Sequence, residues 1–438
     1  MKTNSLLYFI FFSTILFSCA ASYKIKKSAK TDILQNDAFI YAHTGISIYE
    51  PATGKYWYNY QGDKYFVPAS NTKLFTCFAA MKYLGDSITA FKYKETSDTL
   101  FIVPGGDPTF LGVDFENQPA YQFLKNTNKV IALNNSLWKE NRWGNGWAWN
   151  DFNDDYAAER SVMPVYENLA TFSNGLGGIE VSPAYFSNKI VHPSPNKENE
   201  HYASVQRDIA SNTFFISGND SLRGNVDIPF YTSRDSTLID ILEDTLHKAV
   251  YSSNTFHNTD INNWKEFHSQ PTDSLLKITM HRSDNFFAEQ SLLMVSAKLL
   301  GEMNDEKIID TLLNSDYKDL PQTPHWVDGS GLSHYNLFSP QDFVALLNKM
   351  KNAFGMDRIK GILPTGGTGT IKSYYKDAAG YIFVKTGTLS GVVALSGFLY
   401  TKKNKLLIFS VLVNNHRTSA TNVRKAVEKF IESVRNKN

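Results

Sequence analysis

Apolar residues near the start of the chain recur first at strand spacing and then at helical spacing. Residues 39–69 predict two strands, and the Pro and Gly of "EPATGK" between them predict a turn. The next apolar residues recur every three or four positions up to Gly85; they are Leu74, Phe75, Phe78, Met81 and Leu84. This pattern predicts a buried helix that begins at or near Ser70, with Lys73 one turn later on the same face.

The helical pattern returns in the last part of the chain, from residue 266 onwards. "SDNFFAEQSLLMVSAKLLG" predicts an apolar helix that ends at Gly301. Ser339 predicts the N-cap of another helix, with Pro340 in its first turn and Asp342 three residues after the cap. Residues 380–415 predict three strands joined by turns. The last helix has an apolar stripe of Val423, Ala426, Val427, Phe430, Ile431 and Val434.

The middle of the chain has a different character from its two ends. Between residues 90 and 265 the sequence is rich in Asn, Asp, Trp and Tyr, with short apolar alternations separated by polar stretches. This predicts a mostly β insertion with long loops. The first hairpin and the last three strands can form one antiparallel sheet, so the predicted fold class is α+β. We therefore expect one domain from residues 39–90 and 266–438, with residues 91–265 inserted into it.

The first residues resemble an export signal. An early Lys precedes an apolar run from Leu6 to Phe17, which is too short to span a bilayer as a helix. The stretch from Leu16 to Cys19 resembles the cleavage box of bacterial lipoproteins, in which the cysteine is lipidated. We expect a signal peptide over residues 1–18 and a lipidated N-terminus with a polar tether over residues 19–38. A plain signal peptide with an incidental cysteine is the alternative.

Composition narrows the functional classes. The 438 residues include 44 basic and 43 acidic ones, a net charge of +1, so bulk charge does not predict nucleic-acid binding. Besides Cys19 the chain has one cysteine, Cys77, which excludes an internal disulfide in the exported chain. Its position on the first helix predicts a small buried residue rather than a nucleophile. The histidines show no metal-ligand spacing, and we expect neither a metal nor another cofactor.

Three short motifs carry the chemistry, and they stand in a fixed order along the chain. They are S-x-x-K at Ser70–Lys73, S-D-N at Ser283–Asn285 and K-T-G at Lys385–Gly387. Each is weak alone. Together, with the first two at predicted helix starts and the third at the end of an apolar strand, they resemble the signature of penicillin-binding proteins and class A β-lactamases.

These residue types suit acyl transfer to a serine. The Ser70 hydroxyl becomes a strong nucleophile only when a base takes its proton, and Lys73 can be that base if burial keeps it neutral. Ser283 can relay a proton to the leaving amine. Backbone N–H groups of Ser70 and Thr388 can form an oxyanion hole.

The remaining motif residues suit substrate binding. Asn285 can hold a substrate amide. Lys385 places a positive charge, and Thr386 and Thr388 place hydroxyls, where a substrate carboxylate can dock. Gly387 leaves room for a peptide that lies along the strand edge.

Longer blocks extend the resemblance to most of residues 39–438. "GGDPTF", "DGSGLSHYN", "LPTGGTGT" and "KTGTLSGVVALSGFLY" are similar to blocks of the D-alanyl-D-alanine carboxypeptidase/endopeptidases, the class C low-molecular-mass penicillin-binding proteins of the peptidase S13 family. This resemblance implies a penicillin-binding-protein and serine-β-lactamase-like transpeptidase fold with a large insertion. One departure is His334, where the family usually carries Arg.

The resemblance also implies function and location. Family members trim or cut peptidoglycan stem peptides, and β-lactams acylate them because these drugs mimic the D-Ala-D-Ala end. In this family an acidic residue of the inserted stretch can face the active site and read the substrate; Asp154 and Asp155 lie in that stretch here, and Asp155 is the candidate. The alternative is that both are solvated loop residues. With the export signal, we expect the periplasmic side of a bacterial envelope and attachment to a membrane through the lipid. The oligomeric state is not predicted.

Two other functions remain as alternatives. A class A β-lactamase needs a deacylating Glu, but "YENLATF" around Glu167 does not fit its motif, and the separation of Ser70 from Ser283 is too long for that compact fold. The other alternative is a non-catalytic envelope lipoprotein that keeps the fold. The intact Ser70, Lys73 and Lys385 argue against it.

Overall fold

The computed structural model describes residues 23–193, 201–233, 235–253 and 261–438. Besides the helical residues 23–34, its helices include α1 (Lys73–Tyr83), α2 (Pro119–Asn126), α3 (Asp235–Leu246), α4 (Thr272–Ile278), α5 (Asn285–Leu300), α6 (Asp305–Asn314), α7 (Pro340–Ile362) and α8 (Ala420–Lys437). In the described part of the chain, no helix has the length and apolar character needed to cross a membrane. Cys19 and the predicted signal peptide lie outside the described residues.

The strands divide between the two ends of the chain and its middle. They are β1 (His43–Glu50), β2 (Lys55–Tyr60), β3 (Ser87–Glu95), β4 (Thr99–Pro104), β5 (Val130–Leu133), β6 (Leu169–Gly175), β7 (Gly178–Ser182), β8 (Ile190–Val191), β9 (Ser204–Arg207), β10 (Phe214–Ser217), β11 (Val226–Pro229), β12 (Val250–Ser252), β13 (Lys265–Pro271), β14 (Ile382–Leu389), β15 (Val392–Tyr400) and β16 (Leu406–Asn414).

The two ends of the chain meet in one antiparallel sheet, as the sequence predicts. Its strand order is β14-β15-β16-β1-β2. The first strand joins the last along its length, with His43 opposite Asn414 and Ile46 opposite Val411. The predicted α+β class with an antiparallel sheet is therefore confirmed.

Helices cover both faces of this sheet because its strands are apolar on both sides. Along β16, Ile408 and Leu412 pack into the core that contains α1 and α7. Leu407 and Phe409, on the opposite face, pack with α8. The predicted stripe of α8 is buried; it consists of Val423, Ala426, Val427, Phe430, Ile431 and Val434.

Local signals set the helix limits that the sequence predicts. Helix α5 ends at Gly301, which adopts a left-handed conformation at φ 71°. At the start of α7, the Ser339 hydroxyl accepts from the N–H of Asp342 at 3.1 Å. The Asp342 carboxylate accepts from the N–H of Ser339 at 2.9 Å in return. These reciprocal bonds form the predicted capping box.

Residues 23–34 differ from the polar tether that the sequence predicts. They are helical and lie against α8, with Ile25, Ala29 and Ile33 buried in the shared core. Ser28 is hydrogen-bonded to Ser433 at 2.8 Å. The physical reason is the spacing of these apolar residues, since positions four apart share one face of a helix despite the surrounding lysines.

The middle of the chain folds as three further sheets. A mixed sheet has the order β12-β5-β4-β3-β13, and two three-stranded sheets have the orders β11-β6-β7 and β8-β10-β9. Strand β3 pairs with β13, with Ser87 opposite Pro271, so this part of the chain enters and leaves at neighbouring strands. We refer to residues 91–265 as the inserted segment, and its status as a separate domain stays a prediction.

Candidate active site

Ser70 lies in a 3-10 turn, Ala69–Thr72, that leads directly into α1. The turn is held by close main-chain packing. A Cβ on Gly331 would lie 1.9 Å from the carbonyl oxygen of Ala69, and one on Gly387 would lie 2.5 Å from that of Pro68. Both positions therefore need glycine. The sequence suggests that Gly387 leaves room for substrate. The structure adds a second reason for glycine there, because the strand that carries it must approach the turn that contains Ser70.

Lys73 lies beside Ser70 and is completely buried. Its Nζ donates to Ser70 Oγ at 3.0 Å, to Asn285 Oδ1 at 2.6 Å and to the Ser330 carbonyl at 2.7 Å. These contacts join the first two motifs. They also hold the amine within proton-transfer distance of the serine hydroxyl.

Burial changes the proton affinity of both lysines of the site. It lowers the pKa of Lys73 to about 8, against the opposing effect of the negative Asp328, Asp284 and Glu289. Lys385 is also completely buried. Burial, and then the charge of Lys73, lower its pKa well below the usual range. The two lysines therefore resist carrying a proton each at the same time.

The second motif faces the third. Ser283 Oγ accepts a hydrogen bond from Lys385 Nζ at 2.7 Å. The Asp284 carboxylate caps α5 by accepting from the N–H of Phe287 at 2.7 Å. The Asn285 amide donates to the Tyr156 carbonyl at 2.9 Å, which links the motif to the inserted segment.

The third motif lies on β14 at the edge of the antiparallel sheet. The Thr386 hydroxyl donates to Thr370 Oγ1 at 2.8 Å. The Thr388 hydroxyl accepts from Arg424 Nη2 at 2.5 Å. Both hydroxyls are thus oriented by neighbours, and Arg424 adds a cation at this edge.

Asp155 lies at the margin of this group of residues, adjacent in sequence to Tyr156, whose carbonyl holds Asn285. Its side chain is exposed. Its pKa is raised by partial loss of hydration, and then by the negative charges of Asp227, Asp154 and Asp284. The structure therefore places Asp155 near the second motif. It is not a hydrogen-bond partner of Lys73, whose partners are Ser70, Asn285 and Ser330.

Sequence reasoning missed several residues that support the motifs. Ser330 accepts from Lys73, and Asp328 Oδ1 accepts from the N–H of Gly331 at 2.8 Å. The "DGSG" run signals this turn, although only as structure beside the site. Thr370 belongs to the "LPTGGTGT" block. For Glu289, on α5, and Arg424, on α8, no local pattern in the sequence gives a signal.

Two residues that the sequence analysis considered, Cys77 and Glu167, are not hydrogen-bonded to Ser70. Cys77 is buried, and burial raises the pKa of its thiol to about 12, which keeps it protonated. Glu167 Oε2 accepts from Arg282 Nη2 at 3.1 Å instead of facing Ser70. In the described residues, no three His, Cys, Asp or Glu side chains are grouped as a metal site would need.

Comparison with known proteins shows the family of this chain. Residues 27–434 match the D-Ala-D-Ala carboxypeptidase 3 (S13) family, and the chain belongs to that family. It is 22% identical to a penicillin-sensitive carboxypeptidase A of Dictyostelium discoideum, covering 88% of this chain and 85% of the relative. It is 24% identical to a D-alanyl-D-alanine carboxypeptidase of Actinomadura sp. (strain R39), covering 88% and 80%.

A solved structure is similar over nearly the whole chain. Penicillin binding protein 4 of Haemophilus influenzae has a TM-score of 0.71 at 20% identity, covering 94% of this chain and 98% of that one. A second structure of the same protein, in complex with a β-lactam, has a TM-score of 0.67 at 19% identity, covering 90% and 96%. These similarities confirm the predicted penicillin-binding-protein fold.

Proposed function

We propose that this chain is a serine-type D-Ala-D-Ala carboxypeptidase that acts on peptidoglycan stem peptides through an acyl-enzyme on Ser70. The observation that carries the proposal is the contact of 3.0 Å between Lys73 Nζ and Ser70 Oγ, made by a buried lysine. Family membership supports the same reaction. D,D-endopeptidase cleavage of cross-links uses the same chemistry on a different leaving amine.

The first step joins Ser70 to the substrate. Neutral Lys73 accepts the proton of the Ser70 hydroxyl while the oxygen attacks the carbonyl carbon between the two D-Ala residues. Backbone N–H groups of Ser70 and Thr388 stabilise the oxyanion. The packing of Gly387 on Pro68 supports this assignment, because it brings the end of β14 against the serine turn.

The second step expels D-Ala. The Ser283 hydroxyl gives its proton to the leaving nitrogen, and the lysine pair, which received the proton of Ser70, returns one to Ser283. The bond of 2.7 Å from Lys385 to Ser283 supports this relay. Water then hydrolyses the ester and regenerates Ser70.

The terminal carboxylate docks at Lys385 with the hydroxyls of Thr386 and Thr388. A carboxylate there favours the charged form of Lys385, and that charge in turn favours neutral Lys73. Asn285 holds the amide of the substrate. Asp155, exposed at the margin, suits a cationic group further along the stem peptide.

The first residues support a proposal for the location of the protein. A lipid on Cys19 would attach the chain to a membrane on the periplasmic side of the bacterial envelope. Only residues 20–22 lie between Cys19 and Tyr23, the first described residue, which is helical. Three residues reach roughly 10 Å, so the domain would lie close to the membrane surface. Labelling with a radioactive fatty acid should be lost on Cys19→Ala, and labelling that persists would contradict the anchor.

The test of the reaction is the intact mass of the soluble protein after incubation with benzylpenicillin, with Ser70→Ala alongside. We expect an adduct of a single penicillin that persists in the wild type and is missing in the variant. An intact Ser70 chain that destroys the drug without an adduct would indicate a β-lactamase. A chain that neither binds the drug nor hydrolyses a D-Ala-D-Ala peptide would indicate a non-catalytic lipoprotein.

A further inference from the structure

A cluster of buried charges connects the inserted segment with the site. Arg160 is only 1% exposed. Its Nη1 lies 2.6 Å from Asp305 Oδ2 and 3.4 Å from Glu289 Oε2, and its Nη2 lies 3.2 Å from Glu140 Oε1. Three carboxyl groups thus share one guanidinium, and none of the reaction steps above uses them.

One member of this cluster reaches the catalytic lysine through a single residue. Glu289 Oε1 accepts from the N–H of Ser330 at 2.7 Å. The carbonyl of the same Ser330 accepts from Lys73 Nζ at 2.7 Å. Glu289 is itself completely buried, and a Cβ on Gly329 would lie 3.3 Å from its Cα. The turn that carries Ser330 therefore rests directly on α5.

We infer that Glu289 is a positioning residue for Lys73. Its carboxylate, paired with Arg160, fixes the main chain of Ser330, whose carbonyl orients the lysine amine toward Ser70. This inference rests on the proposed acyl-enzyme function and goes beyond it. It assigns a role to a residue outside the three motifs and gives the inserted segment, through Arg160, a part in acylation.

The cost of the arrangement supports a functional role. A fully buried carboxylate is expensive unless it is paired, and apolar residues of similar volume often replace buried ion pairs without loss of stability. Burial and the negative Asp328 raise the pKa of Glu289 to about 7, although Arg160 opposes this. If position 289 of α5 were needed only for packing, Leu or Met would stabilise the fold better than Glu.

The charge of Glu289 also acts on Lys73. The negative groups that face Lys73 are Asp328, Asp284 and Glu289, and all three raise its pKa. The other lysine of the site is Lys385, whose own pKa is lowered by burial and then by the charge of Lys73. Removing the charge of Glu289 should therefore lower the pKa of Lys73 below about 8. A residue that only packed in the core would not move this pKa.

The experiment measures the rate of Ser70 acylation by benzylpenicillin as a function of pH. In the wild type we expect the rate to rise as the pH passes through the pKa of Lys73, because the neutral amine is the base. Glu289→Gln keeps an oxygen for Ser330 but removes the charge and the pairing with Arg160. We expect the rate at its plateau to fall by roughly tenfold or more, with the midpoint displaced to lower pH.

Two further variants make the result specific. Glu289→Asp keeps the charge on a shorter side chain, so we expect its midpoint to return toward the wild-type value with an intermediate rate. Asp342→Asn is the matched control, because Asp342 is as buried as Glu289 but caps α7. It should lower thermal stability and leave both the rate and the midpoint unchanged.

The inference is overturned by a Glu289→Gln chain with the wild-type rate and midpoint. It is also overturned if both Glu289 variants fail to fold while Asp342→Asn folds, because the role of Glu289 would then be structural. A wild-type chain that forms no adduct on Ser70 overturns the proposed function itself, which separates that failure from the failure of the inference.

Discussion

At the scale of single residues, the site depends on left-handed main-chain conformations, which residues other than glycine rarely adopt. The φ angles of Ala69, Ser283 and Gly331 are +48°, +65° and +79°. For a residue with a Cβ such a conformation costs roughly 1–2 kcal/mol. Ala69 precedes the proposed nucleophile, Ser283 is the proposed proton relay, and Gly331 packs against Ala69. Strain at this point is consistent with a site held by its surroundings rather than by local preference.

Gly331→Ala should damage both folding and acylation. The new Cβ would have to displace the carbonyl of Ala69, which is main chain and cannot rotate away as a side chain would. We expect a loss of about 2–5 kcal/mol in the free energy of unfolding and slower acylation of Ser70. Denaturant unfolding and the rate of penicillin adduct formation measure the two effects.

Gly85→Ala is the control for that substitution. Gly85 has φ +75°, but no atom lies within 4 Å of the position that a Cβ would take, so it carries the conformational cost without the clash. It should lose only about 1 kcal/mol and keep the wild-type acylation rate. Equal losses for the two variants would show that the contact with Ala69 contributes nothing.

At the scale of helices and strands, local signals explain which elements could be predicted. The start of α7 depends on Ser339 and Asp342, three residues apart, and the end of α5 depends on Gly301. Such signals can be read from neighbouring residues. The motif residues can be predicted for a different reason, because their order resembles a known family. The contacts of Glu289 with Arg160 and Ser330 join distant parts of the chain, so no periodicity reports them.

Ion pairs from the inserted segment hold Arg282, the residue before the second motif. Arg282 Nη1 lies 2.6 Å from Asp114 Oδ2, and its Nη2 lies 3.1 Å from Glu167 Oε2 and 2.8 Å from Asp284 Oδ2. Asp114 and Glu167 belong to the inserted segment. Since Arg282 directly precedes Ser283, these ion pairs hold the turn in which Ser283 adopts its left-handed conformation.

Arg282→Gln should therefore slow acylation more than it destabilises the protein. The Arg282 side chain is 42% exposed, so we expect its ion pairs to contribute no more than about 1 kcal/mol to folding. A misplaced Ser283 should cost roughly tenfold in the acylation rate. Arg358→Gln, which removes an ion pair of 2.8 Å with Asp273, is the control and should keep the wild-type rate. Similar acylation rates for both variants would show that the ion pairs of Arg282 do not position Ser283.

At the scale of the whole molecule, the first described residues belong to the folded domain. The antiparallel sheet joins β1 to β16, and the helix of residues 23–34 adds a layer on α8 at the end of the chain. Lys437 Nζ donates to Ser28 Oγ at 3.0 Å, so α8 is tied to the helix of residues 23–34. Residues 23–38 suggest a tether because they are polar and rich in lysine. Instead, the burial of Ile25, Ala29 and Ile33 holds this segment against α8.

Ile33→Ala tests whether this N-terminal layer stabilises the domain. Ile33 is completely buried between residues 23–34 and α8, and its truncation should lower the free energy of unfolding by about 2–5 kcal/mol. Ile40→Ala is the matched control, because Ile40 is 62% exposed and should change stability by less than about 0.5 kcal/mol. Both variants should be acylated at the wild-type rate, since neither residue contacts the motifs. If the two had the same stability, residues 23–34 would act as the tether that the sequence suggests, and the domain would be free to move away from the proposed lipid anchor at Cys19.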